Sequence, residues 1–458
     1  MNSEDFIPVK IVPWNKFISA LLTPLERTEG NMILTVLIVI LVIMLLIGTP
    51  ISIALGISGL GAILLMDVPF VVVPQKIFTG MNIFPLLCLP FFILAGELMG
   101  HGGLTKRLLD FAVIILGRIR GGLSLANVMA SMLFGGITGA AAADASALGS
   151  IEIPMMKENG YDAPFSAAVT AASSCIGPII PPSLPVVIYA MAVSGVSIGG
   201  LFAAGMIPGI IVGLALMATC YIISIKRGYP KREHKVSLRE FLVSAKDAFL
   251  ALLTPAIILG PILFGIATPT EAASIAVVYA FIITFFVYKE LKLSDLPPMF
   301  VRAGAITAVV MIIIGCSNIF GWVVAIEQVA MKLETAVKPL GYYGFILAVN
   351  VIFLIVGTFM DLNPSIIILA PVFAPIAVNL GMEPIHFGMI VIINTVIGLI
   401  TPPLGQNLFI VAPLARIKFE EVTKAIVIFL VVEIGVLLLV SYVPIVSLWV
   451  PRLLGYVK

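Results

Sequence analysis

The stretch Ser173–Pro185, SSCIGPIIPPSLP, places a glycine and a cluster of prolines inside what otherwise reads as a membrane-spanning helix. A proline in a helix interior removes an N–H donor and clashes with the carbonyl four residues back, freeing carbonyl oxygens that hydrocarbon does not solvate. Those oxygens need a cation, water or other protein. A proline kink healed by neighbouring helices would explain one such break, but the second half of the chain repeats it. NTVIGLITPPLGQ, Asn394–Gln406, matches the first stretch at five of thirteen positions: Ile, Gly, Ile, Pro and Pro. A second pair of landmarks lies at nearly the same separation. IGTPISIALGISG at 47–59 resembles IATPTEAASIAVV at 266–278, each a Thr-Pro turn between two apolar helices, and the two offsets are 219 and 221 residues. The chain therefore reads as a duplicated half.

Composition sets the solvent. Of 458 residues 60% are hydrophobic and 11% charged, and the mean hydropathy is +1.18, the balance of a polytopic membrane protein. Apolar stretches long enough to cross a bilayer recur from Met32 to Val450, too many for one signal peptide or anchor. Cys88, Cys175, Cys220 and Cys316 lie in apolar segments without metal-ligand spacing and read as small hydrophobes. His101, His234 and His386 are too scattered for a metal site or a triad. A net charge of +2 with one basic loop argues against nucleic acid. A membrane-embedded acyltransferase or intramembrane protease is disfavoured, because neither a GxSxG-type nucleophile elbow nor an HExxH is read in the chain, and no enzymatic activity is expected.

Residues 1–30, with a weakly amphipathic FISALLTPLERTEG, form an N-terminal extension. A first repeat at 31–225 then holds apolar segments at 32–47, 51–66 and 83–99, and a basic helix-like stretch at 104–120 suited to the cytoplasmic interface. Segments 123–158, 163–195 and 198–225 complete it. The linker 226–247, with the polar run Lys226–Lys246, is cytoplasmic by the positive-inside rule. The second repeat, 248–458, offers 248–266, 269–288, 302–322, an amphipathic 323–339, then 341–380, 384–416 and 420–450. Charge orients them. Arg118 and Arg120 precede 123–158 and Lys157 lies at its end, so this segment starts and finishes in the cytoplasm: a re-entrant helical hairpin with its tip in the membrane. Its equivalent, 341–380, starts and finishes outside, whereas Arg416 and Lys418 fall inside. The predicted fold is an all-α polytopic protein of two inverted repeats, each with a hairpin (123–158, 341–380) and a broken helix (163–195, 384–416).

The hairpin tips carry the polar groups. FGGITGAAAADASALGS, Phe134–Ser150, is mostly small residues that let helices approach, but Thr138, Asp144 and Ser146 need a partner or a wet cavity at membrane depth. VGTFMDLNPSIIIL, Val356–Leu369, again has one aspartate, Asp361, beside Thr358, Asn363 and Ser365. Sodium takes oxygen ligands, which unwound carbonyls and hydroxyls supply, while half-helix N-termini attract anions. Two break-and-tip pairs thus give two ion sites flanking an anionic substrate.

The hairpin GGITGAAAADASALGSIEIPMMKENGY, the break IGPIIPPSLP, the TPTEAA turn and NTVIGLITPPLGQNLF together closely resemble the large membrane subunit of tripartite ATP-independent periplasmic (TRAP) transporters, the DctM-like family, over roughly residues 31–450. The resemblance implies an elevator-type fold of the ion-transporter superfamily in a bacterial or archaeal inner membrane. It implies sodium symport of an organic acid, such as a dicarboxylate, sialic acid or a sugar acid. The implied partners are a separate small four-helix membrane subunit, since residues 1–30 are too short to contain it, and a periplasmic substrate-binding protein. Carried over by position, one sodium site falls where Thr138, Gly139, Asp144 and Ser146 meet Ser173, Ser174, Gly177 and Pro178. The other falls where Thr358, Asp361 and Asn363 meet Thr395, Gly398 and Thr401. Side-chain hydroxyls and backbone carbonyls both stay open as ligands. Substrate is placed between, near Pro182, Ser183, Asn394, Pro403 and Gln406, with helix dipoles as anion receptors. The alternative is an exchanger or channel independent of a binding protein, using Asp144 and Asp361 as a proton relay; two isolated aspartates without a histidine or glutamate chain disfavour it.

Overall fold

The computed structural model describes residues 29–66, 68–231 and 236–457. The extension expected at 1–30, save its last two residues, and His234 in the linker lie outside the described residues. There is no strand among the described residues, and eight helices there are long and apolar enough to cross a bilayer.

The first half runs α1 (Glu29–Leu46), α2 (Ile51–Ile63), α3 (Val72–Met81), α4 (Cys88–His101) and α5 (Leu104–Leu116). The hairpin α6 (Gly122–Thr138) and α7 (Ala141–Glu158) follows, then the broken helix α8 (Ala163–Ser174) and α9 (Leu184–Ala192), and α10 (Ile198–Arg227). The second half repeats this with α11 (Leu238–Leu263), α12 (Pro269–Ile282), α13 (Leu296–Ile326) and α14 (Val329–Val337). Its hairpin is α15 (Gly341–Phe359) and α16 (Leu362–Asn379), its broken helix α17 (Pro384–Gly398) and α18 (Gln406–Ala415), and α19 (Phe419–Tyr442) and α20 (Ile445–Leu453) close it. Both Thr-Pro turns sit between helices, Thr49-Pro50 joining α1 to α2 and Thr268-Pro269 joining α11 to α12.

Two boundaries differ from the sequence reading, each for a local reason. The polar run Lys226–Lys246 is not all loop: α11 already starts at Leu238, because Ser237 and Glu240 form a reciprocal capping box that satisfies the first free N–H groups. The amphipathic stretch 323–339 is divided, its start continuing α13 to Ile326 and the rest forming α14 after Gln328 turns left-handed at φ 51°.

Packing separates a frame from a central body. In the frame α2 lies on α13 and α12 on α4, so each repeat's second helix is held by the other repeat. Gly59 makes the first crossing close, since a Cβ there would stand 2.7 Å from Ile319 Cγ2. The central body is interleaved in the same way. The half-helix α18 packs on α7 and α8, and its counterpart α9 packs on α16 and α17. At one end of the molecule the Lys157 ammonium donates to Ala415 O at 2.8 Å, beside Arg416. There too Arg227 pairs with Asp162 at 2.9 Å, and Gly121 N–H, next to Arg120, reaches Pro230 O. The positive-inside rule makes that end cytoplasmic.

Candidate ion and substrate site

Each hairpin touches its break through a pair of glycines. A Cβ on Gly135 would stand 2.5 Å from Gly177 Cα, and a Cβ on Gly398 would stand 2.5 Å from Gly357 C. No other residue lets two backbones meet so closely. Both breaks end their first half-helix with i to i−3 bonds of the tighter 3₁₀ kind: Cys175 N to Ala172 O and Ile176 N to Ser173 O, then Leu399 N to Val396 O and Ile400 N to Ile397 O. Both carry a cis peptide, Pro181–Pro182 and Pro402–Pro403.

At the first pair α6 ends in Gly139, left-handed at φ 60°, whose N–H caps Gly135 O at 2.9 Å. Asp144 sits in the first turn of α7, where the helix dipole favours a carboxylate. Its side chain is fully buried. Oδ1 accepts from the Thr138 hydroxyl, and Oδ2 faces Gly177, where an added Cβ would strike it, without any hydrogen-bond partner. An ionised carboxylate so placed is stable only if a cation or proton joins it. Gly139 lies against Pro182 O and Ser183 Cα, and the Ser183 hydroxyl donates to Pro178 O. The first break is thus closed over the tip. Ser173 donates to Asn127 Oδ1 at 2.8 Å and accepts from Ser131 at 2.9 Å, while Ser174 donates to Ala171 O at 2.7 Å.

At the second pair Thr358 donates to Ile355 O at 2.6 Å, Thr395 to Val391 O and Ile392 O at 3.0 Å, and Thr401 to Ile397 O at 2.7 Å. Asp361 is the N-cap residue of α16, exposed, with no side-chain cap bond. The Oδ1 of Asn363 has no partner.

The structure therefore brings together Thr138, Gly139, Asp144, Gly177, Pro178, Pro182 and Ser183 in one cluster, and Thr358, Thr395, Gly398 and Thr401 in the other. It leaves Ser146 out. Two residues along a helix turn the side chain by about 200°, so Ser146 is exposed while Asp144 is buried. Among the expected substrate residues only Pro403 and Gln406 reach an open face. Pro182 and Ser183 are buried in the first break, and Asn394 is enclosed in α17, donating to Asn350 Oδ1 at 2.7 Å.

Several polar residues escaped the sequence reading. Asn127 donates to Thr170 at 2.8 Å, Asn350 to Ser441 at 3.1 Å, and Asn407 to Ser174 at 2.8 Å. Glu152 and Glu433 are buried, and neither oxygen of Glu152 has a partner. Their shared signal was a lone polar residue in an apolar helix, the same cue that singled out Asp144. A GxSxG string does occur at 195–199, but Ser197 is the N-cap of α10, accepting from Gly200 N–H at 3.2 Å, with no strand before it to form an elbow.

The family model for the DctM component of the tripartite ATP-independent periplasmic transporter matches residues 38–446. The chain is 41% identical over 403 residues to an isethionate TRAP transporter permease protein, DctMQ, of Oleidesulfovibrio alaskensis, covering 87% of this chain and 63% of that one. It is 41% identical over 405 residues to the C4-dicarboxylate TRAP transporter large permease protein DctM of Pseudomonas aeruginosa, covering 88% and 94%. In fold it is similar to the crystal structure of the Alcanivorax borkumensis YdaH transporter, with a TM-score of 0.59 at 14% identity, over 81% of this chain and 87% of that one.

Proposed function

This chain belongs to the DctM component family of tripartite ATP-independent periplasmic transporters, and on that footing we propose that it is the large membrane subunit of a sodium-driven importer of an organic acid. It is a multi-pass transport protein and not an enzyme. The observation that carries the sodium reading is Asp144: a fully buried carboxylate, one oxygen unpartnered, facing the turn of a broken helix. A hard monovalent cation held by that oxygen, the Thr138 hydroxyl and turn carbonyls of the break would satisfy it. The second cation is taken by Thr358, Thr395 and Thr401 with carbonyls near Gly398, and Asp361 lends charge from the rim. The organic anion meets the exposed N-terminal end of α18 at Gln406 and Pro403, where the helix dipole receives a negative group.

Transport then consists of an elevator-like movement of the interleaved body, hairpins and broken helices together, against the frame. A small four-helix membrane subunit covers the frame and a periplasmic binding protein delivers the substrate, in the inner membrane of a bacterium or archaeon. Relatives named for isethionate, for C4-dicarboxylates and for sialic acid support an organic anion. The test is uptake into proteoliposomes with the cognate small subunit and binding protein. Uptake is expected only with an inward sodium gradient; uptake indifferent to sodium would sink the reading.

One observation favours a second reading. Glu152 lies two turns along α7 from Asp144, fully buried with both oxygens unpartnered, so the carboxylates are not as isolated as the sequence suggested. Proton-coupled transport would use that pair. Uptake driven by a pH gradient in the absence of sodium would favour it.

A further inference from the structure

The two breaks are tied together at one point. Asn407, the second residue of α18, is fully buried. Its backbone N–H donates to Leu399 O at 3.0 Å, closing the second break on itself. Its side-chain amide Nδ2 donates across the repeat boundary to Ser174 Oγ at 2.8 Å. Ser174 in turn donates to Ala171 O at 2.7 Å, so its hydroxyl hydrogen is committed and its oxygen is the acceptor, which fixes the direction of the link. A second crossing contact lies beside it, Cys175 Sγ to Val396 O at 3.6 Å. The Oδ1 of Asn407 is buried and has no partner.

The mirror-related bond does not exist. The residue 221 positions before Asn407 is Val186 on α9, an apolar side chain, and the counterpart of Ser174, Thr395, bonds carbonyls of its own helix. The link is therefore not a by-product of the duplication. It joins the first break, at Ser174, to the turn of the second through a single side chain.

Resting on the two-cation reading above, we infer that Asn407 is a positioning residue that couples the two cation sites: the orientation of Ser174 and the closure of the turn at Leu399 change together, so occupancy of one site raises affinity at the other. The coupling requires a physical element with two arrangements that both sites bias, and in this proposal the Ser174–Asn407–Leu399 chain, seen here in one of them, is assigned that role.

The purified chain with its small subunit, titrated with sodium chloride against choline chloride at constant ionic strength and read by thermal stabilisation, tests this. The unsubstituted protein is expected to respond to sodium with a Hill coefficient approaching about 2, the number of sites. Asn407→Ala is expected to lower it to about 1, with stabilisation still reached at higher sodium. Ser174→Ala should do the same, and the double variant should be no worse than either single one. Ser174→Thr keeps the acceptor oxygen, and threonine already stands at the matching position of the second break, so it should restore cooperativity. An unchanged Hill coefficient in Asn407→Ala and Ser174→Ala overturns the coupling alone. A response to sodium no different from choline in the unsubstituted protein overturns the two-cation reading, and the coupling with it.

Discussion

The two aspartates of the hairpin tips look like a matched pair and are not one. Asp361 lies 217 residues after Asp144, four short of the 221 that relates the two breaks. By register the counterpart of Asp144 is Ser365: each is the fourth residue of its helix, α7 beginning at Ala141 and α16 at Leu362. Asp144 is buried against Gly177, whereas Asp361 stands exposed at the N-cap position of α16 without a side-chain cap bond, and Ser365 turns its hydroxyl back to Asp361 O at 2.9 Å. The prolines follow the same division, Pro181 and Pro182 being buried while Pro403 is exposed and Pro402 half-buried. One half of the duplication is a closed pocket with an internal charge; the other is an open turn with hydroxyls and a charge at its mouth. On the two-cation proposal, a cation in the first would be neutralised by Asp144 beside it, whereas one in the second would have only the exposed Asp361 nearby.

Substitutions at the two halves can break or sharpen that comparison. The largest effect is expected from Gly398→Ala, whose Cβ meets the Gly357 backbone within 2.6 Å and has no flexible side chain to displace. Overpacking of this kind costs about 1–3 kcal/mol or more, so the thermal midpoint should fall and uptake should vanish; full uptake would show that the hairpin does not need to touch the break. Asp144→Asn comes next. Removing the buried charge should weaken sodium activation by at least about tenfold, about 1.4 kcal/mol, without loss of folded protein, as read by sodium titration of uptake. Asp361→Ala should weaken it roughly threefold, because an exposed charge is screened and contributes under about 1 kcal/mol; equal losses at the two aspartates would erase the distinction drawn here. Ser365→Ala should do least, losing one hydrogen bond of about 0.5–1.5 kcal/mol, seen as a small drop in thermal midpoint with sodium activation intact.

Much of the fold was legible because its signals are local. Pro178, Pro181 and Pro182 interrupt a helix because they cluster, whereas single prolines such as Pro208 and Pro255 stay inside continuous helices, and Pro50 and Pro269 stand at helix starts after Thr49 and Thr268. The linker boundary was missed at Leu238 because a capping box can start a helix inside a highly charged run. Ser146 was drawn into the site by adjacency in sequence, which on a helix means the opposite face. Asn407 was passed over although it follows Gln406 directly, since nothing in a single sequence shows that its amide crosses to the other repeat.

The sequence by itself determined the solvent, the duplication, the inversion and the places where helices break, because hydropathy, charge at loop ends and proline chemistry act within a few residues. Only the tertiary structure decided that α9 and α18 trade places between repeats, that Asp144 is buried while Asp361 is exposed, and that Ser174 is held from the far half of the chain. Those outcomes depend on helix phase and on contacts between residues more than two hundred positions apart, which no local pattern encodes.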